Sequence, residues 1–451
     1  MSAFYTFFVF FITFSILIFV HELGHFLVAR MFNVKILTFS VGFGKSIFSW
    51  RDRNNTEYKL GFIPLGGYVK MLCAQDVMSD SEDYKYTLDA QHPWKKMLIV
   101  IAGPAINILL AFIIYFIIGL LGTVSLKPIV TGIVKDSPLY GSIYIDRPLV
   151  IDSINDVKVR NYSDAYMQLA LLKDNKDFKI VFADPKDPLD LITYNVKNLN
   201  ISLNNLRGID LLNKVGLIGY QVDYNFTISG FTQKDSEMKI GDQIVSYDSI
   251  PIKDISSFTS YIQEKKTDPI LLKVKREGGY FSYYSRAYLD KSSGNYVLGI
   301  SFSFNKIDEN YLYNNNYNLL DALYIACYKV SEVVRFTIIT LYNIFFGNLS
   351  FDNLGGPFET ASYAKHSFSM GVISYLSLLA LISINLGVFN MIPIPVLDGG
   401  SFVLYFVEML TGISLSGFLL NVFTVISILL ILSFSFYVFL FDFFRFFKIN
   451  F

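Results

Sequence analysis

Four apolar runs separated by polar sequence set out the architecture of this 451-residue chain. The first, Phe4 to Val20, leads directly into His21-Glu22-Leu23-Gly24-His25, and its helical pattern continues to Arg30. The others run from about Met97 to Leu121, Met370 to Ile392 and Leu415 to Phe441. Each approaches or exceeds the length a helix needs to cross hydrocarbon. A further stretch, Leu319 to Phe346, is apolar but interrupted by Lys329, Glu332 and Arg335, which fall close to one helical face. That pattern predicts an amphipathic helix lying in the outer interface rather than a fifth span. The first run has no basic leader and no small-residue cleavage site, so it reads as a retained span, not a signal peptide.

Composition agrees with this layout. Hydrophobic residues make up 53% of the chain and charged residues 17%, which favours a polytopic membrane protein over a soluble one. The formal net charge is zero, so no nucleic-acid partner is expected. Cys73 and Cys327 lie far apart, which predicts neither a disulfide framework nor a thiolate metal site. Lys and Arg crowd residues 31–96, and none precedes the first span. The positive-inside rule then places 31–96 in the cytoplasm, with the N-terminus, residues 122–369 and the C-terminus on the outer side.

The long polar region between the second and third spans contains an internal repeat. Ile151-Asp152-Ser153-Ile154-Asn155-Asp156, ending at Val159, aligns with Ile244-Val245-Ser246-Tyr247-Asp248-Ser249, ending at Ile252. The copies are about 90 residues apart, the length of one small β-rich domain. Gly241-Asp242 before the second copy resembles the turn of bacterial PDZ domains, which predicts a tandem PDZ pair at 126–206 and 207–303. The first copy departs from the pattern, with Pro148-Leu149 at the corresponding place. PDZ domains bind peptides by adding a strand to a sheet edge, and the second unit, whose turn is intact, is the candidate peptide binder.

The chemistry sits at the end of the first apolar run. His21 and His25 stand at i and i+4 on one helical face, with the Glu22 carboxylate one residue after the first, the spacing of two zinc ligands and a general base. Ionisable residues are costly where a chain enters lipid and tend to be functional there. Catalytic zinc usually takes three protein ligands, so one is missing. His92 and His366, in polar surroundings near span ends, read as surface histidines. Asp398 is the better candidate, because it closes the run from Asn385 through Asn390, Pro393 and Pro395 to Asp398-Gly399-Gly400. The two prolines break the helix, and irregular backbone at membrane depth is tolerated where it lines a protein-enclosed cavity.

These residues together resemble the site-2 protease family of intramembrane zinc metalloproteases. The match rests on HELGH in the first span and Asn385…Asn390-x-x-Pro-x-Pro-x-x-Asp398-Gly-Gly in the third. Further matches are Gly103-Pro104-Ala105-Ile106-Asn107, the segment from Gly61 to Met71, and Gly355-Gly356-Pro357. The resemblance spans nearly the whole chain, and the paired PDZ units mark one subgroup. It implies that His21, His25 and Asp398 hold zinc and that Glu22 activates the attacking water. It implies substrate binding by Asn385, Asn390 and Pro393, and by Gly66, Gly67 and Tyr68 of a β-hairpin dipping into the membrane. Gly103 and Asn107 would support the site. The implied substrates are transmembrane segments of single-pass membrane proteins, an anti-sigma factor or a remnant signal peptide, in regulated intramembrane proteolysis at a bacterial inner membrane.

The expected fold is therefore a polytopic α-helical membrane protein with four transmembrane helices, two inserted extracytoplasmic PDZ domains of mixed β/α structure, and a membrane-dipping β-hairpin. Along the chain this gives a first span at 1–30, a cytoplasmic loop with the hairpin at 31–96 and a second span at 97–121. After the two PDZ units come the interfacial helix region at 304–366, a third span at 367–400 and a fourth at 415–441. Two other readings use the same residues: a membrane PDZ scaffold with a non-catalytic metal site, and a metal-binding transporter subunit. A scaffold has no use for Glu22, and a transporter would carry polar residues through the second and fourth spans, which are almost wholly apolar.

Overall fold

Every apolar run folds as helix in the computed structural model. It describes residues 2–78, 81–171, 176–199, 211–220, 224–231, 237–252, 255–290, 295–304, 307–347, 355–413 and 417–446. Helix α1 (Ser2–Met31) is apolar all round over most of its length and about 45 Å long at 1.5 Å per residue. Asn33 stops it in the left-handed region at φ 59°, while the Val34 N–H reaches back to the Ala29 carbonyl at 2.9 Å.

The chain then enters β1 (Ile36–Arg51) and β2 (Glu57–Met71). A simple hairpin is expected from the sequence, and the structure corrects this. Residues 38–41 lie beside both 57–60 and 67–70, and residues 46–51 pair with 57–61, so the two strands fold into a sheet of four segments. Glycine permits the bend: Gly42 has φ +90°, and a Cβ on Gly61 would strike the Gly42 backbone. Ile36, Phe39 and Val41 are buried against Phe26 and Ala29 of α1, whereas Ile47, Phe48, Trp50 and Phe62 are exposed at the far end. Among the described residues, segment 67–71 pairs with residues 36–41 and with no strand on its other edge. Helix α2 (Pro93–Leu121) starts one turn earlier than expected, because His92 caps it and Pro93 suits its first turn.

Strand β3 (Thr123–Leu126) pairs with β18 (Leu312–Asn315), clamping the entrance and exit of a β region made of two units. The first contains β4 (Ile129–Ile133), β5 (Leu149–Ile154), β6 (Val157–Lys158), α3 (Tyr162–Ala170), β7 (Lys176–Ala183), β8 (Leu191–Leu199), α4 (Leu211–Val215) and β9 (Leu217–Gly219). The second contains β10 (Tyr224–Phe231), β11 (Gln243–Tyr247), β12 (Ile250–Pro251), α5 (Ile255–Lys265), β13 (Pro269–Arg276), β14 (Gly279–Arg286), β15 (Tyr288–Leu289), β16 (Tyr296–Val297) and β17 (Ile300–Phe304). Their strand orders correspond one to one: β8-β7-β5-β4-β9 with β6 on β5, and β14-β13-β11-β10-β17 with β12 on β11. The sequence repeat coincides with the β5–β6 and β11–β12 turns. Asn155-Asp156 and Asp248-Ser249 both have positive φ at two successive residues, as two-residue hairpins of right-handed twist require.

The boundary expected at 206/207 lies outside the described residues, yet its consequence is corrected. Helix α4 and β9 belong to the first unit: β9 pairs with β4, and Leu211, Leu212, Val215 and Leu217 are buried in that unit's core. The strand that closes each sheet comes last in sequence, so a repeat centred on β5 and β11 does not reveal it. The imperfect turn of the first copy also has a physical reason. In the second unit Asp242 is buried and receives two Arg276 hydrogen bonds of 2.6 Å, which hold its carboxyl below the usual carboxylate range. In the first unit Leu149 is buried among apolar side chains instead.

Helix α6 (Leu319–Phe345) occupies the predicted amphipathic stretch. It packs antiparallel along α2: Gly119 approaches Ala322, while Val333 shares a buried cluster with Ala111 and Ile114. Its charges dock onto the first β unit, Lys329 bonding Asp164 and Glu332 accepting from Gln168 Nε2 at 3.2 Å. Residues 367–400 are not one element. Helix α7 (Pro357–Ser369) is separated from α8 (Val372–Asn390) by Gly371 at φ +112°. Beyond α8, the stretch between the third and fourth apolar runs holds α9 (Asp398–Thr411), tied to α2 by a Glu408–Lys96 ion pair of 2.9 Å. Helix α10 (Gly417–Phe446) follows; the start expected at Leu415 lies outside the described residues. Its Asp442 accepts from Phe358 N–H at 2.8 Å, which caps α7 and accounts for Gly356-Pro357. Helices α1, α2, α8 and α10 are long and apolar enough to cross a membrane.

Candidate metal centre

Three helix-borne side chains converge where α1 passes the loop between α8 and α9. His21 Nε2 lies 3.1 Å from Asp398 Oδ2, His25 Nε2 lies 3.5 Å from the same oxygen, and the two Nε2 atoms are 3.3 Å apart. His21, Glu22 and His25 are all buried. The loop explains how Asp398 arrives there. Helix α8 ends at Asn390, and Pro393 and Pro395 lack the N–H groups that would continue it. The chain turns through Ile394 N–H to Ile392 carbonyl (2.7 Å) and Leu397 N–H to Ile394 carbonyl (2.8 Å), so that α9 opens on Asp398. Gly399 and Gly400 pack against the Met391 and Ile394 carbonyls, where a Cβ would not fit.

The protonation pattern is set by neighbours. His25 Nδ1 is 2.8 Å from the Ile99 carbonyl and must donate to it, which leaves Nε2 as a lone pair facing the cluster. His21 Nδ1 faces the Asn107 amide, with Nδ2 at 3.2 Å. In that orientation Asn107 Oδ1 is buried without a partner among the described residues; turning the amide over would let Oδ1 accept the His21 Nδ1 proton. Ser383 Oγ holds the Asn107 backbone carbonyl at 2.8 Å. Asp398 Oδ2 is also buried without a hydrogen-bond partner among the described residues.

With the amide so turned, two imidazole lone pairs and a carboxylate oxygen face one another, an arrangement that a cation among them would relieve. Bonds of about 2.0–2.1 Å to a tetrahedral zinc put its ligand atoms roughly 3.3–3.4 Å apart, close to the three separations observed. Two nitrogens and one oxygen are also a common donor set for catalytic zinc, and the residues present fit that ion.

The other sequence candidates divide. Asn390 reaches the cluster, its Nδ2 lying 3.3 Å from His21 Nε2. Gly67 packs against the Glu22 and Ile18 side chains, and Gly66 lies against the Phe43 ring, which stacks on Tyr68 with centroids 6.4 Å apart. Gly103 lies directly under the two imidazoles. Asn385 instead engages α6, its Oδ1 accepting from Thr337 Oγ1 at 2.8 Å, and Pro393 is exposed in the connecting loop. The Ile99 carbonyl, Ser383 and Thr337 were not foreseen. A backbone acceptor carries no side-chain signal, and neither hydroxyl lies within a motif.

A Cβ at Gly103 would overlap His25 Nε2 and come within 2.9 Å of His21 Cε1. Gly103→Ala is accordingly expected to weaken zinc binding by about 10–100-fold, the usual cost of misorienting a metal-bound histidine. A competitive chelator titration measures this, and an unchanged affinity would show that the rings can move aside.

Comparison with known proteins gives a consistent result. Residues 9–434 match peptidase family M50. The regulator of sigma E protease of Haemophilus influenzae is 28% identical over 410 residues, which covers 89% of this chain and 90% of that one. The regulator of sigma-E protease RseP of Salmonella typhimurium is 27% identical over 412 residues, again 89% and 90% of the two chains. A Pasteurella multocida protein named among the zinc metalloproteases is 30% identical over 424 residues, 92% of this chain and 93% of that one.

Proposed function

Because the chain belongs to peptidase family M50 and is a site-2 type zinc metalloprotease, we propose that it cuts transmembrane segments of single-pass membrane proteins inside a bacterial inner membrane. The observation that carries this reading is the convergence of His21, His25 and Asp398 between one membrane-length helix and the loop that follows another. His21, His25 and Asp398 would hold zinc, which when bound supplies Lewis acidity to the attacking water and the scissile carbonyl. Glu22 takes the proton of that water and returns it to the leaving amine. Asn390 places an amide donor beside the reacting centre, where it can stabilise charge on the carbonyl oxygen.

A substrate helix must unwind before it is cut, and its freed backbone groups need partners in a site closed to water. The open edge of segment 67–71 can pair with an extended substrate strand, and Gly66 and Gly67 add no side chain to obstruct it. With its Oδ1 held by Thr337, Asn385 has its amide N–H groups left to donate.

In this reading the two β units are PDZ domains on the outer side, together with both termini, and residues 31–96 are cytoplasmic. The units admit substrates whose outer domain has already been trimmed, and the free edge of β17 in the second is the place for a peptide. The names of the relatives favour an anti-sigma factor as substrate, with remnant signal peptides as the other candidate class. The test is cleavage of a fluorescent single-pass substrate by the purified protein, with fragment ends mapped by mass spectrometry. Cleavage is expected within the apolar segment, to stop on chelation and to return on adding zinc. Cuts confined to the polar flanks, or indifference to chelation, would overturn the reading.

A further inference from the structure

A cavity of about 910 Å³ is bounded chiefly by α2, α3, α6 and α8. Its volume is near the upper end for sites that hold small ligands. Its lining includes Phe336, adjacent in sequence to Thr337, and Leu381, one helical turn before Asn385. The lining thus passes residues next to the Thr337–Asn385 hydrogen bond. At its outer end stands Arg160, whose guanidinium lies over the Tyr328 ring at 4.9 Å. One of its nitrogens, Nη1, is buried and has no hydrogen-bond partner among the described residues. Lys329, which also lines the space, is already bonded to Asp164.

We propose that this cavity is a second substrate site, which binds an extended acidic segment of the substrate immediately outside the part that is cut. The proposal rests on the protease reading above. A buried guanidinium N–H without an acceptor is costly, and a carboxylate matches its charge and its forked geometry. The lining also includes Thr340 and Ser377; the Ser377 hydroxyl donates to the Ile373 carbonyl at 2.9 Å and can accept from an N–H of an unwound chain, and the Thr340 hydroxyl can serve either group. A lipid tail has no such groups to serve. The outer wall is α3, held to α6 by Asp164 and Lys329, so a peptide here would lie between the first β unit and the metal centre.

The test uses Ser377→Cys in a Cys73→Ser, Cys327→Ser background, labelled with a short photoreactive maleimide. With Glu22→Gln added to retain substrate, irradiation is expected to crosslink the probe to the outer juxtamembrane residues of an acidic single-pass substrate. In protein with Glu22 intact, Arg160→Gln is expected to raise KM for that substrate about fivefold or more with little change in kcat. It should leave KM unchanged for a version whose acidic residues are replaced by Gln and Asn, and Arg160→Lys should restore part of the loss. A substrate that is cleaved yet never crosslinks, crosslinking to phospholipid alone, or an equal Arg160→Gln effect on both substrates would overturn the proposal. Failure of the protease reading would be distinct, since no substrate would then be cut by the unmodified enzyme.

Discussion

Glu22→Gln should leave the protein folded and loaded with zinc while slowing peptide hydrolysis by about 10²–10⁴-fold, the usual worth of a positioned acid–base group. The substitution is nearly isosteric, so the buried side chain can keep its place against Gly67. What it loses is a proton acceptor. Glu22 belongs to neither the histidine pair nor the Asp398 contact, so the metal content should not change. Rates on a transmembrane substrate, paired with elemental analysis of the same preparation, separate the outcomes. Full-speed cleavage would remove Glu22 from proton transfer. Joint loss of zinc and activity would make it a structural residue.

Asp398→Ala should have the opposite signature, losing zinc first and activity as a consequence. Asp398 would supply the third donor and the negative charge of the cluster, and its Oδ2 has no other hydrogen-bond partner among the described residues. Outer groups that merely orient a ligand are worth about 10–100-fold in metal affinity, so removing a ligand should cost at least about 100-fold, roughly 2.7 kcal/mol. Asp398→Asn keeps the size but not the charge and should fall in between. Zinc per chain after dialysis against a weak chelator gives the measurement; unchanged stoichiometry in Asp398→Ala would exclude it from the ligand set.

The half of the site on α1 was legible because HExxH is local: one helix fixes the spacing of both imidazoles. Asp398 was legible for a different reason, since two prolines and two asparagines at the end of an apolar run make little sense as a span. What sequence could not show was how α9 starts. The stretch between the third and fourth apolar runs holds a helix whose first residue is Asp398, the candidate third ligand. The repeat exposed two β units through their shared turn, but β9 and β17 close their sheets from a distance and leave no periodic trace. The charges of helix α6 look like a water-facing stripe, whereas Lys329 and Glu332 are spent on Asp164 and Gln168. Asn385 shows the same limit: its residue type suggested a polar task, and only the fold supplied Thr337 as its partner.

Helix α2 contributes none of the three metal donors, yet it touches everything that holds them. Its Ile99 carbonyl sets the His25 tautomer, Asn107 meets His21, Gly103 makes room for both rings, and Lys96 secures the far end of α9. A chain with α1 inserted but α2 not yet beside it would have two histidines with unset tautomers and no Asp398 within reach. Proteolytic competence is thereby made contingent on complete assembly of the bundle.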